Sequence, residues 1–268
     1  MPDAAVLIDH VHVNYSERPV LNGISLAIDK GEFITIVGET GCGKSTLLRL
    51  ILGEEKPTSG RVLVNGQKRS QPDRQCGYVP QKYSLFPDKT VLDNVTFGPE
   101  ITAFGVWSVF RGLHGRQMRA FREEALRYLR HTGLDEADAR KYPHQLSGGM
   151  QQRVAIAQAL IMKPPILLMD EAFSALDPAT RTGMQRLIKT LWRESGTTIV
   201  FVTHNTREAV CLGTRIIALA KTSEGHGSSI ALDLAVPDLD FDSEESDIGD
   251  LVREVESASV RDRPLVYN

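Results

Sequence analysis

The sequence predicts an α/β fold organised on a largely parallel β-sheet, and three observations carry that expectation. The runs "EFITIVG", "PPILLMDEA" and "TTIVFVTHN" are continuously apolar and short, the pattern of strands buried on both faces. Helical patterns, "KSTLLRLILG" and "ATRTGMQRLIKTLWRESG", alternate with them. The first run also ends in a glycine-rich loop that opens directly into a helix, "GETGCGKST".

The remaining elements follow in chain order. "AVLIDHVHVNY" and "LNGISLAID" have period-two character and are broken by "SERP" and "DKG", as expected of two strands. "SGRVLVNGQ" reads as a further strand closed by the Asn65-Gly66 turn. Residues 117–132 space their apolar groups as an amphipathic helix that Gly133 stops. The stretch 101–119 mixes Phe104, Trp107 and Phe110 with Arg111, His114 and Arg116 without clean periodicity. It is either a helical cover over the core or a surface that docks a partner or the membrane interface. The chain has no internal repeat.

Composition narrows the class. The chain has 268 residues, 41% hydrophobic and 24% charged, enough for one large domain or two small ones of ordinary soluble character. Its N-terminus lacks the basic and apolar regions of a secretory signal. No apolar run approaches the ~20 residues needed to span a bilayer. Cys42, Cys76 and Cys211 are scattered without metal-ligand spacing, which points to reduced thiols rather than a disulfide framework. Ten acidic residues against three basic ones give the segment after Val236 a net charge of −7, leaving +4 on the first 236 residues of a chain at −3. The segment 237–268 is therefore expected to be a solvated acidic tail, with a short helix near "DIGDLVREVE".

The chemistry concentrates in three places. Gly38, Glu39, Thr40, Gly41, Cys42, Gly43, Lys44, Ser45 and Thr46 fit G-x-x-x-x-G-K-[ST] between a strand and a helix. In that context glycines turn backbone N–H groups toward phosphate oxygens, Lys44 adds a cation, and Ser45 can reach Mg2+. Thr46 is expected to cap and pack the helix start. Cys42, inside this loop beside Lys44, either is a small residue that fits or has an environment favouring thiolate. At the end of "ILLMDE", Asp170 can hold a Mg2+ shell, and Glu171 can polarise a water or serve as a helix-start charge. Ser147-Gly148-Gly149 opens another helix, a second backbone anion site in one chain.

"GETGCGKST", "GYVPQ", "LSGGMQQR", "ILLMDE", "SALD" and "FVTH" occur in an order that resembles an ATP-binding cassette (ABC) ATPase over about residues 5–220. The resemblance implies a P-loop NTPase (RecA-like) core with an antiparallel β subdomain and an inserted α-helical subdomain at about 82–160. The cassette would occupy residues 1–236. ATP and Mg2+ are the implied cofactors. Tyr15 sits where the family stacks an aromatic on adenine, although a strand-end tyrosine is also its local description. Gln81 resembles the glutamine that reaches metal and attacking water, Asp177 the residue that communicates across a dimer, and His204 the histidine at the γ-phosphate.

The resemblance also implies a head-to-tail dimer in which Ser147-Gly149 closes on the partner's ATP, so the two anion sites serve different nucleotides. It implies separate transmembrane permease subunits, an extracytoplasmic solute-binding protein, no nucleic-acid partner, and a peripheral location on the cytoplasmic membrane face. "VTHNTREAVCLGTRIIALA" resembles cassettes of nitrate, sulfonate and taurine importers, whereas "DEAFSALDPATR" resembles those of quaternary-amine importers. Lipid or export ATPases, and non-transport cassettes acting on nucleic acid or ribosomes, are the alternatives.

Overall fold

The computed structural model describes residues 4–82, 85–105, 115–222, 226–241, 243 and 245–259. Trp107, Phe110, Arg111 and His114 lie outside them. The described chain divides into two compact units. The first comprises residues 1–78, 165–171 and 192–268, and the second residues 79–164 and 172–191.

The first unit is built on strands β1 (Ala4–Tyr15), β2 (Arg18–Asp29), β3 (Phe33–Gly38), β4 (Ser59–Val64), β5 (Gln67–Lys68), β6 (Cys76–Val79), β7 (Ile166–Asp170), β8 (Thr198–Val202), β9 (Arg215–Lys221) and β10 (Ser228–Ala235). They form one sheet in the order β5-β4-β1-β2-β10-β9-β3-β8-β7-β6. Its parallel pairings are β3 with β8 and β9, β7 with β8, and β10 with β2. The strands of the first third are antiparallel, β1 with β2 and β4, and β4 with β5. The expectation of a largely parallel sheet is corrected to a mixed one. Period-two strands joined by short turns can only pair antiparallel, because a parallel return needs a long crossover. The Asn65-Gly66 turn between β4 and β5 has both residues at positive φ, 48° and 75°, as a two-residue hairpin requires.

Buried strands read as apolar because both their faces are covered. Every residue of β7 and β8 is buried. Helix α1 (Lys44–Leu52) packs Leu47, Leu48 and Ile51 onto the same core as Ile36, Leu168 and Val202. At the far end of the sheet, Phe33 and Trp192 meet edge to face, and the indole N–H donates to the Gly31 carbonyl at 2.7 Å.

The acidic tail is not simply solvated. Residues Glu245–Ser259 form helix α8, which places buried Ile248, Val255 and Ala258 against Val210, Cys211, Ile216 and Leu232. Val210 and Cys211 belong to α7 (Thr206–Leu212), Ile216 to β9 and Leu232 to β10. The segment before the helix is tied down as Arg193 pairs with Asp238 at 2.9 Å and with Asp240 at 3.2 Å. Composition hid an apolar stripe at helical spacing, and burial of that stripe outweighs the charge of the exposed face.

The second unit is helical: α2 (Val91–Phe104), α3 (Gly115–His131), α4 (Glu136–Ala139), α5 (Gly148–Ile161) and the first part of α6 (Pro178–Ser195). Its core joins Val91, Val95, Leu129, Leu134, Val154 and Ala157. Gly133 follows α3 at φ 74°, the left-handed stop expected from sequence.

Docking of α8 has a measurable consequence. Ile248→Ala removes a fully buried side chain and is expected to lower unfolding free energy by about 2–5 kcal/mol in urea titration. A change within ~0.5 kcal/mol, the usual effect of a surface substitution, would show that the helix is not docked.

Candidate functional site

The parallel strands end together. Registers pairing Asp170 and Ile36 with Val202 bring the C-terminal ends of β3, β7 and β8 to one edge, where ligands of α/β sheets gather. From β3 the chain enters the Gly38–Gly43 loop, whose shape depends on missing side chains. A Cβ on Gly38, at φ 152°, would lie 2.4 Å from the Leu219 carbonyl oxygen and 2.8 Å from Cys42 Sγ. One on Gly43, at φ 96°, would lie 2.6 Å from Leu21 Cδ2. Glu39, Thr40 and Gly41 form the exposed rim.

Helix α1 then begins with Gly43 as its N-cap, no side-chain cap and no acidic residue in the first turn. Such a terminus presents N–H groups and the positive end of the helix dipole to an anion. Lys44 is 6% exposed, and its Nζ donates to the carbonyls of Gly38 at 2.7 Å and Glu39 at 3.0 Å. The ammonium is thus held over the loop, where it can meet phosphate oxygens.

Asp170 ends β7 and is 5% exposed. The Ser45 and Tyr78 hydroxyls lie beside its carboxylate, and its buried Oδ1 has no hydrogen-bond partner. Burial pushes the Asp170 carboxyl above its ordinary value, with the Glu171 charge adding to the rise and Ser45 and Lys44 opposing it. Burial and the Asp170 charge together push the Tyr78 phenol up to about 12. A buried carboxylate oxygen without a donor, beside a serine hydroxyl, fits a hard divalent cation such as Mg2+.

Glu171 follows at φ 47°, a left-handed conformation that costs a side-chain-bearing residue about 1–2 kcal/mol. Its N–H donates to the Val202 carbonyl at 2.9 Å, which fixes the turn. The turn sends its carboxylate to the strand ends, where Oε2 lies 3.4 Å from His204 Nδ1. His204 itself sits between β8 and α7 in a locked corner. The Thr203 hydroxyl donates to buried Glu208, the Asn205 N–H donates to Thr203 Oγ1 at 3.0 Å, and Asn205 Oδ1 caps Glu208 N–H at 3.0 Å.

Tyr15, at the end of β1, is 44% exposed. Its hydroxyl donates to Glu55 Oε2 at 2.8 Å and lies 3.4 Å from Thr46 Oγ1. Thr46 is buried and packs at the helix start, but it does not cap it: Gly43 is the N-cap, and no side chain bonds there.

The other expected site residues belong to the second unit. Exposed Ser147 is the N-cap of α5, its Oγ accepting from Met150 N–H at 3.3 Å, with Gly148 and Gly149 in the first helical turn. Asp177 caps α6, accepting from Thr180 N–H at 3.1 Å, and that hydrogen bonding lowers its carboxyl pKa. Gln81 is exposed just beyond β6.

A family model described as "ABC transporter" matches residues 21–174. The chain belongs to the ABC transporter family. The cassette is 42% identical over 236 residues to an aliphatic sulfonates import ATP-binding protein of Burkholderia cenocepacia, covering 88% of this chain and 66% of that relative. It therefore spans just under two thirds of that protein's length. A relative of the same description from Zymomonas mobilis is 39% identical over 237 residues, 88% of each chain. Among solved structures, a dimeric ATP-binding cassette in a post-hydrolysis state with ADP and Pi superposes at a TM-score of 0.73. Identity there is 36%, with 87% of this chain and 99% of that one covered. The fold is that of an ABC ATPase.

Two findings add to the sequence reading of this cassette. Of the two readings of Cys42 the structure favours the small residue that fits: it is fully buried, and burial pushes its thiol up against the opposing Lys44 charge. Its Sγ lies close under Gly38, 2.8 Å from where a Cβ on that glycine would sit. Tyr78, within the "GYVPQ" motif, owes its importance to a contact with Asp170 that sequence spacing does not reveal. All three cysteines are buried. An aromatic disulfide reagent at neutral pH is expected to titrate none of them rapidly in the folded chain and all three in denaturant. Prompt reaction of Cys42 in the folded chain would contradict its burial.

Proposed function

We propose that this cassette hydrolyses ATP to power import of a small solute of the nitrate, sulfonate or taurine kind through separate transmembrane subunits. The observation that carries the hydrolytic part is the meeting of Lys44, the orphaned Asp170 oxygen and the Glu171–His204 pair at one edge of one sheet. The import part is supported by the two sulfonate-import relatives. Among the described residues no helix is long and apolar enough to cross a membrane, which is compatible with permeation through other chains.

In this reading the Gly38–Ser45 backbone and Lys44 bind the phosphates, and Tyr15 provides a platform for the adenine. Ser45, Asp170 and Gln81 would hold Mg2+, which would neutralise charge on the transferring phosphoryl group. Glu171 accepts a proton from the attacking water, and His204 donates toward the γ-phosphate. Ser147, Gly148 and Gly149 meet the γ-phosphate bound by a second copy in a head-to-tail dimer, with Asp177 at the junction. ATP then favours the closed pair, and hydrolysis removes the group that both copies hold. The working assembly comprises two cassettes, permease subunits and an extracytoplasmic solute-binding protein, with the cassettes on the cytoplasmic face of the membrane.

Glu171→Gln tests the chemical assignment. Losing a general base is expected to cost about 10²–10⁴ in turnover while leaving ATP affinity within a few-fold. The variant should accumulate as an ATP-bound dimer in size-exclusion chromatography. Undiminished turnover would remove Glu171 from the reaction.

A further inference from the structure

The helix that opens the phosphate loop also carries, one turn on, a device aimed at Tyr15. Arg49 follows Thr46 by three residues on α1, and its Nη2 donates to Thr46 Oγ1 at 3.2 Å and to the Tyr15 hydroxyl at 3.0 Å. The same guanidinium donates through Nε to Glu55 Oε2 at 3.2 Å. That oxygen also accepts from the Tyr15 hydroxyl at 2.8 Å. The phenol oxygen is therefore both donor and acceptor in a closed ring of three side chains. The hydrogen bonds and charge of Tyr15 and Glu55 raise the Arg49 pKa against burial, in keeping with a tightly held cation.

Local sequence explains how Glu55 comes to be there. α1 ends at Gly53, which takes φ 88° and donates its N–H to the carbonyls of Arg49 and Leu50. The N–H groups of Glu54 and Glu55 also turn back to the Arg49 carbonyl, at 3.0 and 3.3 Å. The left-handed stop thus folds Glu55 over the turn that bears Arg49. The Glu55 side chain is only 16% exposed, whereas Tyr15, to which it bonds, is 44% exposed as a residue. The arrangement holds an exposed aromatic ring by its polar tip and leaves ring surface open.

We infer that Arg49 and Glu55 are positioning residues that fix the Tyr15 ring for the base of the nucleotide and tie it, through Thr46, to the phosphate loop. The inference rests on the proposed role of Tyr15 as the adenine platform. A ring restrained by its hydroxyl loses less freedom when a base stacks on it, so affinity rises without any new contact to the ligand. The benefit is specific to ligands that carry a base. A bare polyphosphate engages the loop and Lys44 alone.

The test uses the full chain, with equilibrium binding of a fluorescent ATP analogue, competition by ATP and competition by inorganic tripolyphosphate. Tyr15→Phe keeps the ring and removes its tether, and Glu55→Ala removes the acceptor. Each is expected to weaken ATP about threefold to tenfold, the value of one hydrogen bond, and to leave tripolyphosphate unchanged. Glu55→Gln, which retains an acceptor for the phenol, should recover most of the loss. The Tyr15→Phe/Glu55→Ala double variant should bind ATP no worse than Tyr15→Phe alone, because that change already breaks the bond to Glu55. Additive losses, or equal weakening of tripolyphosphate, would assign Glu55 a merely structural role and overturn the inference. So would normal ATP affinity in Glu55→Ala while Tyr15→Ala weakens ATP, a result that leaves the platform reading intact. Normal ATP affinity in Tyr15→Ala would remove the platform itself.

Discussion

A polyphosphate brings several negative charges to one place, and a protein that meets them with backbone N–H groups must first bend its main chain out of the way of its own side chains. The Gly38–Gly43 turn is that constraint here. At Gly38 a side chain would collide with the main chain of β9, and at Gly43 with Leu21 of β2. Sheet, loop and helix are therefore fitted to one another at the two points where phosphate would approach. Lys44, already bonded to two loop carbonyls, holds positive charge over the turn.

The rest of the first unit brings chemistry to that turn. Parallel pairing of β3, β8 and β7 delivers Gly38, Asp170 and the Thr203-His204 corner to one edge. The left-handed backbone at Glu171 then turns its carboxylate toward His204. A strained residue beside a buried carboxylate with an orphaned oxygen is the pattern of a site that stores cost in order to be ready for ligand. In the proposed reaction this readiness serves phosphoryl transfer to water, and the Tyr15–Arg49–Glu55 ring extends it to the base.

Much of this was legible in the amino-acid order. The strand–loop–helix around Lys44, the apolar strand ending at Asp170 and the Asn65-Gly66 hairpin follow from local rules that act within a few residues. What escaped depends on contacts between distant residues. Tyr78 reaches Asp170, and Tyr15 reaches Glu55, across the fold. Cys42 is buried close under Gly38, which no neighbour in sequence announces. The docking of helix α8, rather than the helix itself, escaped for a different reason. Ten acidic residues dominate the composition after Val236, while the spacing of Ile248, Leu251, Val252 and Val255 records the apolar face that docks. There periodicity was the better guide than average charge.

A P-loop in this account supplies only half of an ATP site, and the other half is the Ser147-Gly149 segment of a second copy. Mixing two damaged copies tests this most directly. Lys44→Ala disables one half and Ser147→Arg the other, so a mixed pair retains one intact composite site. The account predicts that each variant alone hydrolyses ATP at background and that the mixture regains turnover. Full turnover by the Ser147→Arg copy alone, or no gain on mixing, would contradict it.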